Sequence, residues 1–343
     1  MRNELMDWLD AVYEAGSISA AARRMGFSYR HAWGVLKRFE EHLGAPLIVW
    51  EKGQKARLSP FGDKLRWAER QAQAHLAPQI SALQAELERT FAMAFDPESH
   101  LLTLYASHDD ALLGLREVSA SQRLHLDVRF CGSVDAIRAL NEGRCTVAGF
   151  HAPLHPRADS LVARTYRPLL KTGQHKLIGF ALRTQGLMVA SGNPLGLAGL
   201  SDLVRTGARY VNRALGTGTR LLLDEWLLAS GQSPAGLKGY EQEESSHAAV
   251  AARIASGQAD AGLGIASAAH ARRLDFVPLI REAYWLVCLK EALETPQVSQ
   301  LRTVLQGPDW AERLRQWPGY EPAPGAGQVH ALRQTLPWWA SNH

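Results

Sequence analysis

Four polar turns in the C-terminal part of the chain carry residue types that could hold a small ligand. They read SHDD at 107–110, GFH at 149–151, NRALGTGTR at 212–220 and ESSH at 244–247. Each lies where an apolar run gives way to a helical pattern, and hydroxyl and backbone N–H groups converge on ligands in such turns. The residue types therefore predict a small-ligand site, with an anion favoured at the GTGTR stretch.

The GTGTR stretch shares some features with phosphate-binding loops. It lacks the lysine of the GxxxxGK[ST] loop and the third glycine of the GxGxxG loop. We therefore expect it to contact an anion without phosphoryl transfer. Arg213 or Arg220 could hold an oxyanion through two N–H bonds, while Arg220 could instead pair with Asp224, four residues along the same helix.

The histidine-containing turns raise the alternatives of catalysis and metal binding. Ser107, His108 and Asp109 are adjacent in sequence, so they cannot form the line of nucleophile, base and orienting acid of a catalytic triad. Asp109 is left with two roles, capping the next helix or facing a ligand that donates hydrogen bonds. His108, His151 and His247 could ligate zinc, but their spacing is unconstrained. We expect neither enzymatic activity nor a metal or cofactor.

The composition is that of a globular protein of 343 residues, 46% of them hydrophobic, with a formal net charge of +4. This length suggests roughly two or three domains. No run of about 18 apolar residues occurs, and the N-terminus reads as an amphipathic helix rather than a signal peptide. Three widely spaced cysteines fit a reducing compartment. The expectation is a cytoplasmic protein without membrane contact.

The N-terminal segment has the spacing of a helix-turn-helix with a wing. Apolar periodicity and turn glycines predict three helices, Glu4–Ala15, Ala20–Met25 and Tyr29–Leu43. Ser17 or Ser19 would cap the second and Ser28 the third. The third helix is expected to bury Ala32, Val35, Leu36, Phe39 and Leu43. Two short strands, Leu47–Trp50 and Ala56–Leu58, would flank the EKGQK turn as the wing.

Basic residues are concentrated in this segment. Between Arg23 and Arg57 the chain has eight lysines and arginines against three glutamates. The second helix of a helix-turn-helix meets base edges in the major groove, and a wing touches phosphates or the minor groove. We therefore expect double-stranded DNA as a partner, bound through Ser28, Tyr29, Arg30, His31, Trp33, Lys37, Lys52, Lys55 and Arg57.

A long amphipathic segment follows the wing. Apolar residues recur at three- and four-residue steps from Leu65 to Leu87 and predict a helix over Phe61–Phe91. A single apolar stripe needs a partner, which is either the same helix of a second subunit or the chain's own C-terminal domain. Pro78 is expected to kink or split the helix.

Short apolar runs alternate with helical patterns from Leu101 onward, which predicts βα units, a mostly parallel sheet and two α/β lobes. The predicted strands are Leu101–Ala106, Leu126–Phe130, Thr146–Phe150, Leu177–Phe180, Gly186–Ala190, Tyr210–Asn212, Ala261–Gly264 and Trp285–Leu289. The predicted helices are Asp110–Ala120, Ser133–Glu142, Thr219–Ala229 and His247–Ser256.

The N-terminal motif GSISAAARRMGFSYRHAWGVLKRFEEHLGAPLI, followed by ARLSPFG, resembles the winged helix-turn-helix of LysR-type regulators. Its SYRHAW part is closer to the molybdate-responsive ModE-type branch. The resemblance implies a promoter-binding domain over 1–62 and a linker helix over 63–95. It also implies that this helix pairs two subunits in a homodimer or homotetramer.

The C-terminal motifs SHD, GxH, NRxxGxGTRxxxD and HxAVAxxIxSGxADAGLGI resemble the periplasmic-binding-protein-like domain found beside molybdopterin biosynthesis proteins. The resemblance implies a type II two-lobed α/β domain over 96–343, with lobe I at about 98–182 and 280–343 and lobe II at about 183–279. It implies a small effector between the lobes. The ligand candidates by motif position are Ser107, His108, Asp109, His151, Asn212, Arg213, Thr217, Gly218, Thr219, Arg220 and His247.

Together the two resemblances imply a transcriptional regulator whose promoter binding responds to a small effector. The implied effector is an oxyanion such as molybdate or tungstate, or formate, in molybdenum or formate dehydrogenase metabolism. The alternative is an enzyme or carrier that acts on a pterin or molybdenum-cofactor ligand and has an accessory DNA-binding domain.

Overall fold

The structure is a computed structural model that describes residues 3–49, 56–96 and 98–339. They form two compact units that divide after Ala74. Each unit has its own buried apolar core. Within the described ranges, no helix has both the length and the apolar character needed to cross a membrane.

The first unit begins with three helices whose ends are set by local side chains: α1 (Glu4–Ala15), α2 (Ile18–Met25) and α3 (Tyr29–Leu43). Each start is capped by a side-chain oxygen, from Asn3, Ser17 and Ser28, and each end by a glycine at positive φ. The predictions for α1 and α3 are confirmed at both ends. The second helix begins earlier than predicted because Ser17, not Ser19, is its N-cap.

The three helices pack around Trp8, Leu9 and Leu36. The prediction that Leu43 is buried is wrong: it is 43% exposed, because it lies in the last turn of α3, past the buried part of that helix. The wing strands β1 (Ile48–Val49) and β2 (Arg57–Leu58) pair antiparallel, shorter than predicted. The predicted DNA contacts Lys52 and Lys55 lie outside the described residues.

A single long helix, α4 (Pro60–Phe95), follows the wing. Its 36 residues span about 54 Å at the usual rise. The helix continues across position 78, so the expectation of a split there is wrong. Its exposed apolar side chains recur at helical spacing: Leu76, Ile80, Leu83, Leu87, Phe91 and Phe95.

The second unit is built on one eight-stranded mixed sheet. Its strands are β3 (His100–Ala106), β4 (Leu124–Phe130), β5 (Val147–Pro153), β6 (His175–Val189), β9 (Ala261–Ile265), β10 (Asp275–Leu289), β11 (Tyr320–Pro322) and β12 (Val329–Ala331). A separate parallel pair joins β7 (Asn212–Arg213) to β8 (Glu243–Glu244). The strands β3, β4 and β5 are parallel to one another, as the βα pattern predicts. The other five strand pairings described for this sheet are antiparallel, so the prediction of a mostly parallel sheet is wrong.

Two 15-residue strands, β6 and β10, pair antiparallel along their length and connect the lobes. One part of β10 pairs with β5 in lobe one, while one end of β6 pairs with β9 in lobe two. The predicted separate strands Leu177–Phe180 and Gly186–Ala190 are therefore parts of one strand. The polar residues between them, which read as a break, lie inside β6.

Helices cover the sheet on both lobes: α5 (Asp110–Ser121), α6 (Ser133–Asn141), α7 (Leu161–Tyr166), α8 (Leu200–Thr206), α9 (Gly218–Ala229), α10 (His247–Ala255), α11 (Ala266–Ala271), α12 (Pro296–Gln306), α13 (Pro308–Arg315) and α14 (Leu332–Thr335). Single 3-10 turns lie at 234–236, 290–294 and 337–339. The predicted two-lobed α/β fold is confirmed.

Candidate functional site

The exposed face of α3 carries the described DNA-contact candidates. Tyr29, Arg30 and Trp33 are exposed there. The Oγ atom of Ser28 accepts the N–H of His31 at 3.2 Å, so it serves as the helix cap. The His31 ring stacks on Phe27 at 4.7 Å between centroids. Aromatic and guanidinium groups are thus presented at the N-terminal end of α3.

Lys37 lies one turn further along α3 and has an internal partner. Its Nζ is 2.7 Å from Glu40 Oε2 and 5.6 Å from the centroid of the Trp33 ring. Glu40 also accepts the backbone N–H groups of Leu47 and Ile48, at 2.7 and 3.0 Å. Burial raises the pKa of Glu40, but hydrogen bonds from Lys37 and the backbone lower it below its ordinary value. Glu40, to which no sequence pattern pointed, thus joins α3 to the wing.

In the second unit, the turns of the two lobes lie close together. A Cβ atom added to Gly132, before α6 in lobe one, would be 3.0 Å from the carbonyl oxygen of Gly216 in lobe two. A Cβ atom added to Gly218 would be 3.3 Å from Cβ of His151. Both distances are tighter than ordinary Cβ contacts, so glycine at these two positions favours the close approach of the turns. The GTGTR stretch therefore faces the lobe-one turns, as the sequence predicts.

Asp109 both caps a helix and belongs to a buried ion cluster. It accepts the Ala111 N–H at 2.9 Å, as the N-cap of α5. It also accepts from Arg183 at 2.5 Å and from the Tyr320 hydroxyl at 2.9 Å. Burial raises its pKa, but His151 and Arg183 lower it well below the ordinary value. The structure thus supports the capping alternative and gives this carboxylate internal partners.

Three residues of the ion cluster lie on β6 and β10 and were missed from the sequence. Arg183 and Glu282 are direct cross-strand partners, and Arg183 Nε lies 3.0 Å from Glu282 Oε2. Gln185 donates to the same Glu282 oxygen at 2.7 Å and to Thr219 Oγ1 at 3.0 Å. In the sequence, these residues are polar or charged and lie next to apolar runs. A charge buried in a strand requires a partner, so this pattern could have indicated a buried ion pair.

Arg213 differs from the other buried arginines. It is 2% exposed, and no carboxylate among the described residues lies within ion-pair distance of it. Its Nη1 donates to the carbonyl oxygen of Glu244 at 3.2 Å, and its Nε has no partner in the described structure. Burial and the positive charge of Arg183 lower the pKa of Arg213 to about 9, so it remains charged at neutral pH. The more distant charges of Asp109 and Glu244 offset this lowering only in part.

Arg213 lines a cavity of about 290 Å³ between the lobes. Lobe one contributes Ser107, His108 and Gly132 to its wall, and lobe two contributes Thr217. The α6 N-terminus at Gly132 has no side-chain cap, so its first-turn N–H groups are not bonded by the cap side chain. A buried cation and a helix N-terminus therefore meet in one cavity.

Of the three predicted histidines, His108 lines this cavity, whereas His151 and His247 do not. His151 lies within β5, which continues past the predicted end at Phe150, and its ring centroid is 3.8 Å from that of Tyr284. His108 lies against Phe130 at 4.8 Å. Burial lowers the pKa of each, most strongly for His247, where Arg213 adds to the effect. The described residues contain no group of three or more His, Cys, Asp or Glu arranged to hold a metal ion.

The remaining candidates hold the lobe-two turn together. Asn212 donates to the Tyr240 carbonyl at 3.2 Å, and Thr217 caps α9. Arg220 pairs with Asp224 at 3.2 Å and with Glu243 at 2.6 Å. The structure therefore favours the structural alternative for Arg220.

Comparison with known proteins assigns both units to families. Residues 115–306, more than half of the chain, match the family model described as PBP superfamily domain. Residues 4–63 match the model described as bacterial regulatory helix-turn-helix protein, lysR family. The predicted LysR-type and periplasmic-binding-protein-like domains are thus confirmed. The ModE-type and molybdopterin-related assignments stay predictions.

Individual relatives cover parts of the chain. The uncharacterized protein YvgK of Bacillus subtilis (strain 168) is 36% identical over 194 residues, which are 56% of this chain and 62% of YvgK. The molybdenum-pterin-binding protein MopB of Rhodobacter capsulatus is 36% identical over 91 residues, 25% of this chain and 34% of MopB. The chain therefore spans less than two thirds of either relative.

Solved structures align over a larger share of the chain. A mutant of Corynebacterium glutamicum OxyR aligns with 92% of this chain and 95% of its own, at 16% identity and a TM-score of 0.44. A likeness of this degree says nothing about ligand or DNA sequence. On the family matches, the chain belongs to the PBP superfamily, and it joins that domain to an N-terminal segment that matches the lysR-family regulatory helix-turn-helix.

Proposed function

We propose that this protein is a transcriptional regulator that binds double-stranded DNA through α3 and its wing, and that a small anion between the two lobes controls this binding. The observation that carries the proposal is the buried guanidinium of Arg213. A charged group without a counter-charge is costly to bury and is found where a ligand supplies that charge. The cavity beside it gives the ligand room.

The DNA-binding part of the proposal rests on the exposed face of α3. Tyr29, Arg30 and Trp33 are available for base-edge contacts, and Arg57 of β2 lies on the wing. Lys37 contributes less to DNA contact than its sequence position suggests, because its ammonium group donates a hydrogen bond to Glu40. A recognition helix joined to its wing through Glu40 presents both elements to DNA as one rigid surface.

The apolar stripe of α4 supports assembly with a second copy. Leu76, Ile80, Leu83 and Leu87 are each about half or more exposed, which is unfavourable in an isolated chain. The start of α4 is held to α1, since Arg66 and Arg70 both pair with Asp10, at 2.6 and 2.8 Å. Paired α4 helices would then carry two DNA-binding units that read two half-sites.

The effector class follows from the site and from the resemblance. Molybdate, tungstate and formate are the candidates, and the similarity of one segment to the molybdenum-pterin-binding MopB agrees with an effector from molybdenum metabolism. We propose sensing rather than turnover, because Asp109 is committed to α5, Arg183 and Tyr320 and does not orient His108.

The test of DNA binding uses the full chain and fluorescence anisotropy on a duplex DNA selected from genomic fragments. Arg30→Ala is expected to weaken binding by roughly tenfold to a hundredfold and to lower the salt dependence. Arg138→Ala removes another exposed arginine, from lobe one, and is the matched control. Equal binding by all three proteins would contradict the assignment of α3 as the recognition helix.

The test of effector control repeats the titration with molybdate, tungstate and formate. At least one anion should change the DNA affinity of the wild-type chain, by roughly 5- to 150-fold for a typical coupling. Arg213→Gln should bind DNA and lose the response. A response that survives this substitution would show that the anion acts elsewhere.

A further inference from the structure

Four carboxylates lie in the buried network that adjoins the cavity wall, although none of them lines the cavity itself. Asp109 and Glu282 share the single guanidinium of Arg183. Glu244 pairs with Arg253 at 3.3 Å, and Asp110 accepts the Ser267 hydroxyl at 2.7 Å. These four carboxylates are buried or mostly buried. These carboxylates already hold Arg183 and Arg253, so neither of those guanidiniums is left to pair with a ligand.

Arg213 is the positive group that this arrangement leaves for a ligand. The charges of Asp109 and Arg183 both act on Arg213, which shows that the ion cluster and the cavity belong to one electrostatic environment. The other donors on the cavity wall are uncharged: the uncapped α6 N-terminus at Gly132 and the Ser107 hydroxyl. One full positive charge is therefore available to a ligand.

We propose that the cavity selects singly charged oxyanions, of the formate or carboxylate type, over doubly charged ones such as molybdate. This rests on the proposed effector site at Arg213. A single negative charge pairs with Arg213 and takes its hydrogen bonds from neutral donors. A second charge would meet no further cation on the described cavity wall and would lie near the buried carboxylates in a poorly solvated space, where repulsion between like charges is strong.

Neighbouring histidines and arginines also favour singly charged anions over doubly charged ones. The imidazoles of His108, His151 and His247 are kept neutral by burial and by the arginines, so they do not offset a second ligand charge. Arg220 does not offset it either, because two carboxylates, Asp224 and Glu243, hold it within lobe two. The selection by charge thus depends on these neighbours as well as on Arg213.

The test measures dissociation constants of the full chain by calorimetry at pH 8 and constant ionic strength. Formate and nitrate are the singly charged probes, and sulfate, molybdate and tungstate the doubly charged ones. Perchlorate is tetrahedral and singly charged, so it separates charge from shape. We expect the preferred singly charged anion to bind at least about tenfold more tightly than any doubly charged one.

The variant Glu282→Gln removes one carboxylate while keeping its shape. All three contacts of Glu282 with Arg183 and Gln185 use the same oxygen, Oε2, which a glutamine carbonyl can replace. This variant should reduce the preference for single charge by about tenfold. Glu321→Gln, at an exposed carboxylate paired with Arg281, is the matched control and should leave the preference unchanged.

Two outcomes would overturn the inference. If molybdate or tungstate binds wild type more tightly than every singly charged probe, and Arg213→Gln abolishes that binding, the site exists and its charge selection is reversed. If no probe of either charge binds in an Arg213-dependent way, the proposed effector site fails, and the inference fails with it. Should Glu282→Gln not fold, the order of the six anions on wild type decides alone.

Discussion

Two buried arginines of the same unit should respond in opposite ways to replacement by methionine. Arg213 and Arg183 are each 2% exposed. Arg183 contacts two carboxylates, whereas Arg213 donates to one backbone carbonyl. Replacing a buried charge by an apolar side chain of similar size removes the desolvation cost of that charge. If the charge had an ionic partner, however, the partner is left buried without a counter-charge, which is destabilising. The sign of the change in unfolding free energy therefore reports whether a counter-charge is present.

The size of the expected change in unfolding free energy for Arg213→Met can be worked out from the lowered pKa of Arg213. A guanidinium whose pKa falls from 12.5 to about 9 on folding destabilises the folded state by roughly 5 kcal/mol at neutral pH. Methionine removes this term and loses the hydrogen bond to the Glu244 carbonyl, which contributes roughly 1.5–3 kcal/mol. We expect Arg213→Met to stabilise the ligand-free protein by about 2 kcal/mol.

Arg183→Met should act in the opposite direction. It leaves Asp109 and Glu282 buried without their shared cation, and breaking a buried ion pair in this way costs roughly 3–5 kcal/mol. The two variants remove the same group from the same unit, so each is the control for the other.

The assay is urea unfolding of the full-length chain, followed by circular dichroism, with and without the tightest-binding anion. At a hundred times its dissociation constant, the anion should stabilise wild type by about 2.7 kcal/mol and leave Arg213→Met unchanged. A loss of several kcal/mol in Arg213→Met, comparable to that in Arg183→Met, would refute the reasoning, because it would show that Arg213 already has a counter-charge in the protein.

Three further predictions concern lobe closure, acid stability and assembly. Gly132→Ala adds a Cβ atom 3.0 Å from the Gly216 carbonyl oxygen and should weaken anion binding by about tenfold; in calorimetry Gly236→Ala, which adds its Cβ in open space, should bind as wild type does, and equal weakening of both would contradict the closure contact. The pKa of Asp109 is lowered on folding, so its contribution to stability is present above about pH 4, the ordinary aspartate value, and is lost as pH falls; Asp109→Asn should flatten the acid limb of a stability–pH profile, and an unchanged limb would count against this assignment. Leu83→Glu together with Leu87→Glu should shift the chain to monomer in sedimentation velocity, since charge on the α4 stripe opposes pairing; an unchanged oligomer would place the subunit contact elsewhere.

Local sequence signals were sufficient for the DNA-binding unit. The ends of α1 and α3 agree with prediction because a capping side chain and a glycine at positive φ act within a few residues of each helix end. The same local logic placed α5 and α10 within a residue of their observed bounds. It failed for Leu43, because burial in a last turn depends on what packs beside it.

The ion cluster was beyond local signals. Arg183 and Glu282 are 99 positions apart, and only the antiparallel register of β6 and β10 makes them partners. The polar stretch inside β6 was predicted to separate two strands, because its partners on β10 are distant in sequence. The partners of Asp109 likewise come from β6 and β11, 74 and 211 positions away.

The sequence by itself determined the domain order, the helix-turn-helix and the turns that surround the ligand cavity, because these depend on periodicity, capping and turn residues within short segments. The tertiary structure decided which of the two arginines has carboxylate partners within the protein. Arg220 meets Asp224 and Glu243, whereas Arg213 meets no described carboxylate. The cost of a buried charge depends on what lies around it in three dimensions, so sequence position alone could not separate the two.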